Sequence, residues 1–301
     1  MKRFFGLTLA AALAAGMIGC SSQAPQETTA APAETTAAET AAAETAAEET
    51  TAAAEETTEA AAENAGEQTE LMVAAAASLQ YVMEDEIKPA FEAANPDIAL
   101  TFTFDSSGKL QTQIEEGAPA DVFFSAAKKQ MTALQDESMI DADSVVELLE
   151  NKITLIVPKG SETGITGFED ITKAENIAIG DPESVPAGQY AQEAFESLGM
   201  WEDVQAKASL GTNVTEVLSW VAEGSADAGV VYLTDATTSD QADKIDIIGY
   251  APEGSCKKVI YPVGIVSASE HKEAAAKFIE YLQTEEGLAA FEKYGFSPNV
   301  Q

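Results

Sequence analysis

Hydroxyl, amide and glycine residues gather at four places where an apolar strand pattern gives way to a helical one. Ser78 follows Ala74-Ala75-Ala76-Ala77 and precedes Leu79, at the seam between a strand and a helix. Ser106, Ser107 and Gly108 stand in the same relation to a helical pattern over 108–116. The third seam, Gly180-Asp181-Pro182-Glu183-Ser184-Val185-Pro186-Ala187-Gly188, uses Pro186 and Gly188 to shape a loop ahead of a helix at 189–198. The fourth, Gly211-Thr212-Asn213-Val214-Thr215-Glu216, offers an Asn cap with Glu three residues on. The first turn of a helix leaves backbone N–H groups unpaired and carries roughly half a positive charge, so it attracts anions. Taken singly, each seam reads as a plain helix cap. Four of them, two in each half of the chain, can neutralise a dianion with no Lys or Arg.

Catalytic constellations are sparse by comparison. No Gly-x-Ser-x-Gly, paired His or Gly-x-Gly-x-x-Gly opens a helix, and His271, the single histidine, lies at a helix start between Glu270 and Lys272. Ser107 with Lys109 is the one nucleophile–base arrangement left open, and no turnover is expected from it. Lys109 reads as a solvated side chain, Asp121 and Asp181 as caps or loop acceptors, and Trp201 and Trp220 as packing residues. The chain is therefore expected to be a binding protein and not an enzyme, with no cofactor.

The elements that must position these seams alternate between strand and helix. Strand patterns fall at 71–77, 98–104, 121–125, 153–157, 176–179, 228–232, 245–248 and 259–266. Helical spacing recurs in 79–91, 108–116, 189–198, 214–222, 272–282 and 285–294. This rhythm predicts an α/β fold of mostly parallel sheets flanked by helices. About 230 residues exceed what one such sheet needs, and two lobes are expected: 71–152 plus 260–301, and 153–259. The strands at 153–157 and 259–266 are the expected crossovers.

The ends and the composition bound the setting. Residues 1–19 read as an export signal, with Lys2 and Arg3 ahead of an apolar run too short to span a bilayer. It stops at Met17-Ile18-Gly19-Cys20, the pattern of a lipoprotein cleavage site, so Cys20 is the expected lipidation point and anchor to the cell membrane. Cys256 is the other cysteine, and acylation of Cys20 would leave it without a disulfide partner. Ser21–Glu70 contains 18 Ala, 11 Thr and 12 Glu, with no aromatic or branched aliphatic residue to bury. Residues 20–70 are thus expected to be a disordered tether, about 40 Å across as a coil. Residues 71–301 carry 14 basic and 39 acidic residues, a net charge of −25. That surface excludes nucleic acid and anionic lipid as partners, and it obliges any anion site to supply its own local attraction.

Several of these segments, in order, resemble one family. They are Ala-Ala-Ala-Ser78-Leu; Ser106-Ser107-Gly108-Lys-Leu; Gln113-Ile-Glu-Glu-Gly117-Ala-Pro-Ala-Asp121-Val-Phe-Phe-Ser125-Ala; Gly180-Asp-Pro with Val185-Pro-Ala-Gly-Gln-Tyr190-Ala; Gly229-Val-Val-Tyr232; and Lys293-Tyr-Gly-Phe296. Together they look like the periplasmic molybdate-binding proteins of ABC importers, over nearly all of 71–301. The resemblance implies a two-lobed type II periplasmic-binding-protein fold that captures molybdate or tungstate. Another tetrahedral oxyanion such as sulfate is the alternative ligand. It implies a monomer that delivers its ligand to membrane permease and ATPase subunits. It also implies a shell of neutral donors at Ser78, Ser107, Ala187, Val214 and Tyr232. The first four positions coincide with the helix seams, whereas Tyr232 rests on the resemblance alone and otherwise reads as a core tyrosine at a strand end.

Overall fold

The computed structural model describes residues 68–299. The expected signal segment 1–19, Cys20 and the tether to residue 67 lie outside the described residues. The chain runs through β1 (Thr69–Ala76), a 3-10 turn Ala77–Leu79, α1 (Gln80–Val82), a π-helical segment Met83–Ile87 and α2 (Lys88–Ala94). Then follow β2 (Ile98–Asp105), α3 (Ser107–Glu115), β3 (Val122–Phe124), α4 (Lys128–Asp136) and β4 (Val146–Asn151). The middle of the chain forms β5 (Ile153–Pro158), β6 (Ile177–Gly180), α5 (Pro186–Ser197), α6 (Trp201–Gln205), β7 (Ala208–Gly211), α7 (Val214–Ala222), β8 (Ala228–Tyr232), α8 (Leu233–Thr238) and β9 (Ile245–Tyr250). It closes with β10 (Val259–Ile265), α9 (Lys272–Leu282), α10 (Glu285–Lys293) and β11 (Ser297–Pro298).

These strands make two sheets, ordered β11-β4-β10-β3-β1-β2 and β7-β6-β8-β5-β9. Each sheet is the centre of a lobe with helices packed on it. Central strands are buried along their whole length, as in Ile177-Ala178-Ile179-Gly180 and Ala228-Gly229-Val230-Val231-Tyr232. Such continuous apolar runs are what a sheet covered on both faces requires. The edge strand β2 instead mixes buried and exposed positions. Lys152 alone separates β4 of the first sheet from β5 of the second, and the chain returns from β9 to β10 through residues 251–258.

Four details depart from the reading of the sequence. The sheets are mixed and not mostly parallel: β1 pairs parallel with β2 and β3, and β6 with β7 and β8, while β10, β4, β5 and β9 pair antiparallel. The β-α-β units supply the parallel pairs, and the strands that cross between lobes enter from the other end. The tether does not extend to residue 70, because Thr69 and Glu70 pair with Ile98 and Ala99 and the Thr69 N–H donates to Asp97 at 2.9 Å. Val259 belongs with the first sheet, paired to Asn151, and not with 153–258. Finally, β4, β7, β11, α4, α6 and α8 are elements that hydropathy did not reveal. In β4 only Leu148 and Leu149 are buried, and its acidic residues Glu147 and Glu150 pair with Lys128 and Lys258.

Candidate anion-binding site

Ser78, Ser107, Ala187, Val214 and Tyr232 all border one narrow, nearly closed space where the lobes meet. The first lobe supplies Ser78 and Ser107, with Asp105 and Ser106 beside them; the second supplies Ala187, Val214 and Tyr232. All five are buried.

Neither Ser78 nor Ser107 caps its helix. Ser78 sits inside the 3-10 turn, whose N-cap is Ala76, and its Oγ lies 2.8 Å from the Tyr261 hydroxyl. Ser106 is the cap of α3, accepting from the Lys109 N–H at 3.4 Å, which frees Ser107 at the first helical position. The Ser107 Oγ accepts from the Ala126 N–H at 2.9 Å, so its own proton is available to the space. Pro186 starts α5 with no side-chain cap, leaving the first-turn N–H groups of Ala187 and Gly188 without an intrahelical acceptor. Gly188 is required here because a Cβ would collide with the Gly180 carbonyl. Asn213 caps α7 through the Glu216 N–H at 3.0 Å. Glu216 reaches back to the Thr212 N–H at 2.7 Å, which sets the loop that presents Val214.

Tyr232 ends β8 with its hydroxyl buried and lacking a hydrogen-bond partner among the described residues. Burial pushes its phenol, and that of Tyr261, well above the ordinary tyrosine range, so both keep their protons and can donate. A buried donor without an acceptor is costly by about 1–3 kcal/mol, and an anion in the space would relieve it.

The lobes are drawn together around this space. The Gly108 N–H donates to the Ser184 carbonyl at 2.9 Å, and Gln130 Nε2 to Gln189 Oε1 at 3.4 Å. Asn213 Nδ2 donates to Asp105 Oδ1 at 3.4 Å, and the Tyr81 hydroxyl to Asp240 at 3.0 Å.

Three charged groups lie nearby. Asp105 borders the space, and Lys109, only part-exposed, neutralises it at 3.3 Å instead of standing free in solvent. Asp235 on α8 is buried, and desolvation raises its carboxyl to about 7. Asp105 opens the second seam in the sequence, whereas Asp235, Asn151 and Tyr261 carry no local motif that marks them. A tyrosine within the apolar run Val259-Ile260-Tyr261-Pro262-Val263 was the one available signal, since a buried hydroxyl needs a partner. Asp121 and Asp181 are loop acceptors as expected: Asp121 takes the Met72 N–H at 2.8 Å and the Ser269 hydroxyl at 2.6 Å, and Asp181 takes the Glu183 N–H at 3.0 Å. His271 is exposed, as its place at a helix start suggested, with Nδ1 3.4 Å from Asp121.

Comparison with known proteins bears on the family and the fold of the chain. Residues 71–297 match the family model described as bacterial extracellular solute-binding protein. The Bacillus subtilis (strain 168) protein YvgL, which bears the name of an ABC transporter substrate-binding lipoprotein, is 42% identical over 231 residues, covering 77% of this chain and 87% of its own. The molybdate-binding protein ModA of Escherichia coli (strain K12) is 35% identical over 238 residues, covering 77% and 90%. Among solved structures, a substrate-binding domain named for a molybdenum ABC transporter of Clostridium difficile is 37% identical with a TM-score of 0.59, covering 78% of this chain and all of that one. On the extent of these matches and on its two-lobed fold, the chain belongs to the bacterial extracellular solute-binding protein family, with molybdate-binding proteins of ABC importers among its relatives.

Proposed function

We propose that this protein binds molybdate or tungstate between its lobes, outside the cytoplasm, and delivers it to an ABC importer. The observation that carries the reading is the set of buried neutral donors: two serine hydroxyls, the helix starts at Ala187 and Val214, and the unpartnered Tyr232 hydroxyl around one small space. Neutral donors stabilise a dianion by directed hydrogen bonds, each worth roughly 1.5–3 kcal/mol against a charged acceptor. They need no basic residue, so the net −25 of residues 71–301 does not preclude binding. Molybdate and sulfate share charge and shape, and the longer Mo–O bonds are the property by which fixed donors tell them apart.

Calorimetric titration of the chain with molybdate, tungstate, sulfate and phosphate tests this. Tight binding of the first two and weak binding of sulfate is the expected outcome. Preference for sulfate would replace the ligand with the smaller oxyanion, and absence of heat with all four would refute the reading. The protein acts here as a carrier, without turnover or cofactor, as a monomer that presents its closed lobes to permease and ATPase subunits. Retention at the membrane is assigned to lipid on Cys20: Cys20→Ser should move the protein to the soluble exported fraction, and continued membrane association of that variant would refute the anchor.

A further inference from the structure

We infer that Asn151 and Tyr261 are positioning residues that lock the Ser78 hydroxyl as a donor toward the ligand. The inference rests on the oxyanion reading of the site above. Its observation is a chain of hydrogen bonds that starts at the backbone where the lobes join. The Lys152 N–H donates to Asn151 Oδ1 at 2.8 Å, which settles which way the Asn151 amide faces. Its Nδ2 then donates to the Tyr261 hydroxyl at 3.2 Å and to Thr234 Oγ1 at 2.9 Å.

An amide nitrogen cannot accept, so the Tyr261 oxygen must be the acceptor at that contact. Tyr261 has one proton left to place; the Tyr232 hydroxyl lies beyond hydrogen-bond distance, and among the described residues the Ser78 Oγ at 2.8 Å is the remaining partner. Were Ser78 the donor to Tyr261 instead, the fully buried Tyr261 proton would have no acceptor among the described residues, which folded proteins avoid. Ser78 therefore accepts from Tyr261, and its own proton turns into the space it borders. The polarity of a contact in the first lobe is dictated at the crossover, through Tyr261 in β10, 183 residues away in sequence from Ser78.

A locked donor has a consequence for selectivity. It suits an oxyanion with no proton of its own, such as molybdate, and is mismatched to hydrogen arsenate, whose As–OH needs an acceptor. Freed from Tyr261, the Ser78 hydroxyl can rotate and accept. Tyr261→Phe keeps the ring that packs against Tyr232 and Phe296, with centroids 5.6 and 5.3 Å away, and removes only the relay.

The test is calorimetry with molybdate and with arsenate near neutral pH, on the wild-type chain, Ser78→Ala, Tyr261→Phe and the double variant, each checked for cooperative melting. Tyr261→Phe should weaken molybdate binding roughly tenfold and narrow the molybdate-to-arsenate ratio by a similar factor. The double variant should bind no worse than the weaker single variant, because both changes act through one hydroxyl. Asn151→Leu, similar in shape and without the amide, should narrow the ratio in the same direction, and it carries the test should Tyr261→Phe not fold. Additive losses in the double variant, or an unchanged ratio in the Tyr261 and Asn151 variants, would overturn the relay while leaving molybdate binding intact. A wild-type chain that binds no oxyanion would remove the oxyanion reading itself, and the relay with it.

Discussion

The two lobes bring different kinds of donor to the same space. The first lobe offers side chains: Ser78 and Ser107, each already held by a partner, Tyr261 and the Ala126 N–H. The second offers mostly backbone, the starts of α5 and α7 at Ala187 and Val214, and a tyrosine hydroxyl with no partner among the described residues. A hydroxyl can be removed by one substitution. A backbone N–H can be disturbed only by moving the helix that carries it, which is why Pro186, Gly188 and Asn213 guard those helix starts. The half made of side chains is thus open to tuning, whereas the half made of backbone is set by loop geometry.

The comparison breaks most completely if the halves cannot meet. A Cβ on Gly108 would collide with the Ser184 carbonyl, which accepts the Gly108 N–H across the lobes. Gly108→Ala should hold the lobes apart and weaken molybdate binding more than a hundredfold, leaving each lobe folded. Titration reads the loss, and small-angle scattering should show a larger radius of gyration that ligand no longer reduces.

Asp235 tests whether the second lobe carries a stability penalty that the first does not. Its carboxyl is raised to about 7 by burial, against an ordinary value of 3.8. Between those values the folded chain holds a proton that the unfolded chain has lost, so stability falls as pH rises through that window. Asp235→Asn should abolish this slope and stabilise the protein at neutral pH by about 2–4 kcal/mol. Denaturant melts at several pH values check it; a parallel pH dependence in both proteins would contradict the assignment.

Ser107→Ala and Tyr232→Phe should separate the two kinds of donor by sign. Removing the Ser107 Oγ leaves the buried Ala126 N–H unpaired, so stability should drop by about 1–3 kcal/mol along with a ten- to a hundredfold loss of affinity. Removing the Tyr232 hydroxyl deletes a group that had no partner, so the ligand-free protein should melt at a higher temperature while affinity falls roughly tenfold. Equal melting shifts in the two variants would erase the distinction between the lobes.

The smallest effect is expected at Lys109. The sequence suggested a solvated side chain with little bearing on the ligand, but the ammonium neutralises Asp105 at the edge of the space. Lys109→Ala should weaken binding a few-fold at low salt, and Asp105→Asn in the same chain should restore it. Because the pair is part-exposed, the effect should fade as ionic strength rises.

Much of this was legible from local pattern. The alternation of apolar strand and helical spacing, the Ser, Asn, Pro and Gly residues at helix starts, and the order of motifs from Ser78 to Tyr232 all reside in short stretches of chain, where backbone chemistry acts over a few residues. The tertiary structure decided what depends on distant pairs. Strand β4 is hidden in Val146-Glu-Leu-Leu-Glu-Asn151 because its acidic residues find Lys128 and Lys258. The antiparallel entry of β5 and β10 follows from the crossover between lobes, which no periodicity encodes. Proton direction at Ser78 depends on Tyr261 and Asn151, brought together only when β10 lies beside β4. A hydroxyl's residue type is written in the chain, but which way its proton points is set by partners that folding alone brings within reach.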